Sequence, residues 1–193
     1  VLGFNDFNNY YENNPYFGAI IGRYGNRISN GTFLLDGVRY ELEQNNGTNS
    51  LHGGLVGFDK VFWKFVEEKS NNQSLYFEYF SKDMEEGFPG NLVVGVEYIL
   101  NDSNELKIKY TASTDKKTII NLTQHSYFNL SGESSGDILD HILNIDAEYY
   151  LPVNENMIPY GPYEKVEFTP FDFNVPKKIG LDIFDDDIQL KIW

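Results

Sequence analysis

Three histidines are the residues of this sequence best suited to moving protons near neutral pH, because the reference pKa of an imidazole is about 6.5. His52 is followed by two glycines, which free the backbone and leave its ring room to face a cleft. His125 stands in a strand-like stretch whose polar side chains either line a binding cleft or form the solvated face of a sheet. His141 follows an aspartate at the start of a predicted strand, and we interpret it as structural.

Two arginines and two glutamates are further candidates. Arg27 could donate paired hydrogen bonds to sugar hydroxyls or to a carboxylate, or could form a salt bridge on an acidic surface. For Arg23 we favour the surface salt bridge. Glu85 and Glu86 are adjacent carboxylates, which can raise a pKa enough for acid/base chemistry, but a charged loop tip is the commoner origin of such a pair.

The composition excludes several classes of function. The chain has no cysteine, no histidine pair at helical metal spacing and no phosphate-binding glycine motif, so we predict neither a metal site nor a nucleotide cofactor. Asp and Glu number 29 against 15 Lys and Arg, giving a formal net charge of -14. Such a surface repels nucleic-acid phosphates and anionic lipids, so we expect neither partner and favour a neutral substrate. No apolar run approaches the roughly 20 residues of a membrane-spanning helix, and we expect a cytoplasmic protein.

Short β-type patterns must position these residues. Asp36-Gly37 separates two runs of strand-forming residues, the signature of a hairpin with a type I′ turn. No window of a dozen residues has a helical period, so the pattern predicts an all-β sandwich or barrel. At 193 residues we expect one domain, residues 1–193. The predicted strands are residues 32–35, 38–42, 62–67, 74–80, 92–100, 105–111, 118–122 and 141–145.

Five groups of residues, in one order along nearly the whole chain, together resemble the galactose mutarotase (aldose 1-epimerase) family. They are residues 14–23 with 26–28 (NPYFGAIIGR, NRI), 49–54 with 57–60 (NSLHGG, GFDK), 86–90 (EGFPG), 121–130 (NLTQHSYFNL) and 150–153 (YLPV).

The resemblance implies a mutarotase-type β-sandwich (a supersandwich) with an open cleft on an antiparallel sheet. It implies interconversion of the α and β anomers of free hexoses such as galactose and glucose, with no cofactor. It assigns His125 as the proton donor to the ring oxygen and His52 as a second catalytic group. A C-terminal glutamate of the family is the base. The residues implied to hold the sugar are Asn26, Arg27, His52, Ser126 and Tyr127.

The sequence departs from the family pattern at two points. Gln124 stands where the family usually has asparagine. The family's Gly-[Phe/Tyr]-Asp-His-Asn segment and catalytic glutamate are expected beyond Trp193, and we expect some N-terminal strands of the family to precede Val1. We therefore expect a partial domain, incomplete at both ends, that has negligible mutarotase activity alone. The alternatives are a non-catalytic sugar-binding or regulatory protein on the same fold, and a hexose-6-phosphate 1-epimerase.

Overall fold

A computed structural model describes residues 1–11 and 15–192. Its backbone divides into two compact units, Val1–Gly18 with Ser126–Trp193, and Ala19–His125. The described residues form strands and short 3₁₀ helices and no α-helix, so the predicted all-β class is confirmed. None of their helices is long and apolar enough to cross a membrane. The single domain over residues 1–193 stays a prediction.

The unit Ala19–His125 holds ten strands. Their bounds are β1 (Ile20–Ile21), β2 (Arg27–Ile28), β3 (Thr32–Leu35), β4 (Val38–Glu41), β5 (Ser50–Leu51), β6 (Lys64–Phe65), β7 (Ser74–Ser81), β8 (Leu92–Leu100), β9 (Leu106–Thr114) and β10 (Thr123–Gln124). The 3₁₀ helices of this unit are Ser29–Gly31, Glu67–Lys69 and Glu85–Gly87.

An antiparallel sheet in the order β6-β7-β8-β9 forms the main layer of this unit. Successive side chains of a strand point to opposite faces, so Leu92, Val94 and Val96 lie on one face of β8. All three are buried in one cluster with Ile20 and Phe58. The core of this unit therefore lies between the sheet and the segments that carry β1 and the loop after β5.

The hairpin predicted around Asp36-Gly37 is confirmed. Strands β3 and β4 pair in antiparallel register, with Leu35 opposite Val38. Asp36 and Gly37 have φ values of 50° and 78°, the left-handed conformation that a type I′ turn requires at both central positions.

Three predicted strands are shorter or displaced in the structure. The strand predicted at residues 118–122 is instead β10, because Gln124 pairs with Ile20 of a two-residue strand and the ladder is no longer than its partner. The predicted strand 62–67 shrinks to β6, which pairs with the longer β7 only at Lys64 and Phe65. The predicted strand 141–145 shrinks to β11 (Ile142–Leu143), which is as short as the segment Lys177–Lys178 that it pairs with.

The unit Val1–Gly18 with Ser126–Trp193 has little regular structure. Its strands form two antiparallel pairs, Ile142–Leu143 with Lys177–Lys178 and Tyr149–Tyr150 with Glu164–Lys165. Aromatic side chains pack at its start, where the ring of Phe4 contacts those of Tyr10 and Phe17 at centroid distances of 5.2 and 5.1 Å. The elements of this unit are β11 (Ile142–Leu143), β12 (Tyr149–Tyr150), β13 (Glu164–Lys165), β14 (Lys177–Lys178) and the 3₁₀ helices Phe7–Tyr10 and Leu190–Ile192.

Candidate active site

The pairing of β2 with β5 brings Asn26 and His52 together. Arg27 stands opposite Leu51 in this ladder, so the residue before β2 faces the residue after β5. The His52 amide donates to the Asn26 carbonyl at 3.1 Å, and the Asn26 amide donates to Nδ1 of His52 at 2.9 Å. Because Nδ1 accepts this bond, the neutral ring carries its proton on Nε2.

His125 reaches the same place from β10. Gln124 pairs with Ile20, and the His125 amide donates to the Ala19 carbonyl at 2.9 Å. The rings of His52 and His125 meet edge to face, with centroids 5.3 Å apart and planes at 89°. The two histidines that the family resemblance pointed to are thus neighbours, and His141 belongs to the other unit. Their catalytic roles stay predictions.

The environment of His52 favours its neutral form. Burial lowers the pKa of His52 to about 4, with further contributions from His125 and from the positive charge of Arg27. Protonation would also turn Nδ1 into a donor facing the donating Asn26 amide, which would break that bond. His52 is therefore uncharged at pH 7.

Arg27 is partly buried and is held by neutral groups. Its Nε donates to Oδ1 of Asn46 at 2.8 Å, and its Nη1 donates to Oδ1 of Asn26 at 3.4 Å. No carboxylate within the described ranges lies at ion-pair distance from it. Two of its five N–H groups are thus engaged within the described residues, and both acceptors are uncharged amide oxygens.

The glycines after His52 are required by close packing. A Cβ at Gly53, where φ is 95°, would lie 1.8 Å from the Gly22 carbonyl oxygen. A Cβ at Gly54 would lie 2.1 Å from a carboxylate oxygen of Glu86. The sequence suggested that these glycines give the ring room, and the structure shows that they let the loop approach its neighbours.

Asn45 holds the loop that carries His52. Its side-chain nitrogen donates to the carbonyls of Leu51 at 2.9 Å and Gly54 at 2.8 Å, and its Oδ1 accepts from the Leu51 amide at 2.7 Å. Sequence reasoning did not single out Asn45 or its neighbour Asn46. Two asparagines before a glycine suggest only a turn, so the sequence carried no signal for these contacts.

The prediction that Arg23 forms a surface salt bridge is wrong. Its side chain is buried with 2% exposure. Its Nε donates to Oγ of Ser81 at 2.8 Å, and its terminal nitrogens donate to the carbonyls of Ser81, Lys82 and Pro89 at 3.1, 2.8 and 2.9 Å. Backbone carbonyls and a serine hydroxyl take the place of the expected carboxylate. Arg23 thereby ties the segment before β2 to the turn between β7 and β8.

The adjacent carboxylates Glu85 and Glu86 serve as loop anchors. Glu86 accepts from the amides of Leu55 and Val56 at 2.8 and 3.2 Å. Glu85 accepts from the hydroxyl of Tyr79 at 2.7 Å and from that of Ser81. The two carboxylates point to different partners, so they do not form a catalytic pair.

The remaining sequence candidates lie in the other unit. The Tyr127 hydroxyl donates to the Pro15 carbonyl at 3.1 Å, and its ring contacts Phe17 at 5.2 Å. Nε2 of His141 accepts from the Leu130 amide at 2.9 Å, which agrees with the structural interpretation. The sugar-binding roles of Ser126 and Tyr127 stay predictions.

Within residues 1–11 and 15–192, no three His, Asp or Glu side chains cluster in a way that could hold a metal ion.

Comparison with known sequences gives a consistent family. The profile described as aldose 1-epimerase matches residues 1–191. Galactose mutarotase of Sus scrofa is 48% identical over 180 residues, which cover 93% of this chain and 52% of that protein. Aldose 1-epimerase of Escherichia coli (strain K12) is 43% identical over 183 residues, which cover 95% of this chain and 52% of that protein. The chain thus spans about half the length of the curated relatives it matches.

Solved structures share the fold. Galactose 1-epimerase from Lactobacillus acidophilus NCFM superposes with a TM-score of 0.87 at 32% identity, over 100% of this chain and 57% of that one. The GalM/aldose epimerase homologue from C. elegans gives 0.86 at 32% identity, over 93% and 54%. Both comparisons agree with the mutarotase-type β-sandwich predicted from the sequence.

Proposed function

Because this chain belongs to the aldose 1-epimerase family, we propose that it forms the proton-donating and sugar-holding part of a mutarotase site. The proposed substrate is a free hexose such as galactose or glucose. The observation that carries the proposal is the edge-to-face contact of His52 and His125, at 5.3 Å, with the charged side chain of Arg27 beside His52.

The reaction needs one proton delivered and one removed. His125 gives a proton to the ring oxygen as the bond between that oxygen and C1 breaks. A carboxylate takes the proton of the anomeric hydroxyl, and the electrons left on that oxygen form the aldehyde. Rotation about the C1–C2 bond followed by the reverse transfers closes the ring as the other anomer. The family resemblance assigns the carboxylate to a glutamate beyond residue 193.

The neutral state of His52 supports the role of His125 as the acid. Two cationic imidazoles 5.3 Å apart would repel each other, so protonation of one opposes protonation of the other. Since the pKa of His52 is lowered to about 4, His52 does not compete for the proton near neutral pH. His125 is the proton donor in this proposal, while His52 orients the sugar through its Nε2–H.

Arg27 is suited to recognising hydroxyl groups. Asn46 and Asn26 occupy its Nε and one Nη1 hydrogen, and its remaining N–H groups have no acceptor within the described residues. An oriented guanidinium fixes the position of a hydroxyl oxygen, and this holds the ring oxygen at the proton donor. Arg27 therefore contributes by positioning the substrate and takes no part in proton transfer.

Polarimetry on freshly dissolved α-D-galactose and α-D-glucose tests the proposal. The 193-residue chain should mutarotate at close to the uncatalysed rate. Where the gene encodes a longer chain, the full-length product should be active, and His125→Asn should reduce its activity by roughly 10² or more. His141→Asn is the matched control and should change the activity little.

The outcomes separate the alternatives. Full activity in His125→Asn would refute the assignment of the acid, and activity of the 193-residue chain equal to that of a longer product would refute the assignment of the glutamate. Hexose binding without mutarotation by the full-length product would indicate a sugar-binding protein. A rate that rises only with hexose 6-phosphates would indicate that related epimerase.

A further inference from the structure

Asn46 has a fixed place next to Arg27. Its amide donates to the Asn49 carbonyl at 3.1 Å, and the Asn49 amide donates back to its carbonyl at 3.0 Å. Asn49 is itself buried, and its Oδ1 accepts from the Asn30 amide at 3.1 Å. The backbone of Asn46 is thus pinned, and its Oδ1 reaches Nε of Arg27 at 2.8 Å.

The hydrogen bond from Nε of Arg27 to Oδ1 of Asn46 restricts the conformation of the arginine side chain. An arginine side chain loses about 2 kcal/mol of conformational entropy when it is held in one rotamer, so an unsupported guanidinium samples many positions. The acceptor at Nε leaves the two terminal nitrogens to other partners, and Nη1 donates to Oδ1 of Asn26 at 3.4 Å. A carboxylate at this position would also fix the side chain, but it would neutralise the charge.

We propose that Asn46 is a positioning residue of the sugar site, whose amide oxygen holds the guanidinium of Arg27 beside His52 without neutralising it. This inference extends the proposed function, and its prediction about hexose binding rests on that function. Asn45, the preceding residue, holds the loop after β5 through three hydrogen bonds. The side-chain amide of Asn45 therefore supports the loop that carries His52, and the side-chain amide of Asn46 supports Arg27.

Titration of His52 tests the contact without any sugar. The chain has three histidines, so NMR resolves their ring signals. Among residues 1–11 and 15–192, the groups whose charge lowers the pKa of His52 are His125 and Arg27. Asn46→Ala removes a neutral group and adds no charge of its own, so we expect its effect on the pKa of His52 to pass through Arg27. We expect that pKa to rise, because an unheld guanidinium spends less time beside the imidazole.

The same change in an Arg27→Ala background should leave the pKa of His52 where Arg27→Ala alone puts it. Asn46→Asp keeps the acceptor and adds a negative charge, so it should raise the pKa of His52 further. Asn72→Asp adds the same charge at an exposed residue and should have little effect. An unchanged titration of His52 in both Asn46 variants, or an equal shift with and without Arg27, would overturn the proposal.

Hexose binding gives the second readout. In the full-length gene product, Asn46→Ala should raise KM for the hexose roughly tenfold while kcat changes less than twofold, the result of losing a positioning hydrogen bond to a charged group. The effect should vanish in the Arg27→Ala background. If the wild-type protein binds no hexose, the proposed function fails, and the titration still decides whether Asn46 positions Arg27. Equal effects on KM with and without Arg27 would overturn the role of Asn46.

Discussion

The lowered pKa of His52 predicts a stability that depends on pH. The pKa of the ring falls from 6.5 to about 4 on folding, and this difference corresponds to roughly 3 kcal/mol if the ring were fully shielded from water. His52 is only partly buried, so solvent screening reduces the expected effect to about 1–2 kcal/mol. Between pH 6.5 and 4 the unfolded chain binds a proton at this ring and the folded chain does not. The contribution is therefore complete above pH 6.5 and is lost as the pH falls through about 4.

Urea unfolding followed by tryptophan fluorescence measures this effect. The wild-type chain and His52→Asn are compared at pH 7.0, 6.0, 5.0 and about 4.5, because asparagine tolerates the positive φ of 53° at this position. The free energy of unfolding should fall by about 1–2 kcal/mol more in the wild type than in the variant. Carboxylates titrate in both proteins and cancel in the comparison. Parallel curves for the two proteins would refute the account of His52.

Two further variants test the packing around the site. Arg23→Met should cost roughly 3 kcal/mol of unfolding free energy because it removes the hydrogen bonds that Arg23 donates to the carbonyls of Ser81, Lys82 and Pro89, and Arg39→Met, whose ion pair with Glu41 is exposed, should cost less than about 0.5 kcal/mol. Gly53→Ala should destabilise by clearly more than Gly132→Ala in thermal unfolding. Both sites have positive φ, which costs about 1–2 kcal/mol, but only the first would also place a Cβ 1.8 Å from a backbone oxygen. Equal costs within either pair would contradict the contacts described.

The fold was predictable where local chemistry decides it. Asp36-Gly37 can adopt the turn that its hairpin needs whatever surrounds it, and the long alternating runs of β7, β8 and β9 carry their own period. The ends of the short strands were not predictable. β10 exists because Thr123 and Gln124 meet β1, about a hundred residues earlier in the chain, and no local pattern encodes that meeting.

Some residues of the site were also predictable from the sequence, and others were not. The family resemblance pointed to His52 and His125, while their residue types alone left structural interpretations open. Arg23 was misassigned because an acidic composition suggests carboxylate partners, whereas its actual acceptors are backbone carbonyls, which every sequence contains equally. Asn46 was missed because a single side-chain hydrogen bond from a polar turn leaves no mark in the composition or spacing of the chain.

The main-chain amide of residue 26 sets the tautomer of His52. This limits the residues that can replace Asn26 without changing that tautomer. Glycine there would keep both the amide that faces Nδ1 and the left-handed φ of 67°. Proline would remove the amide and demand a φ near −65°, so it would release the imidazole to carry its proton on either nitrogen. Natural variants of this position can therefore change their side chain while preserving the ring's donor direction, provided that they keep an N–H.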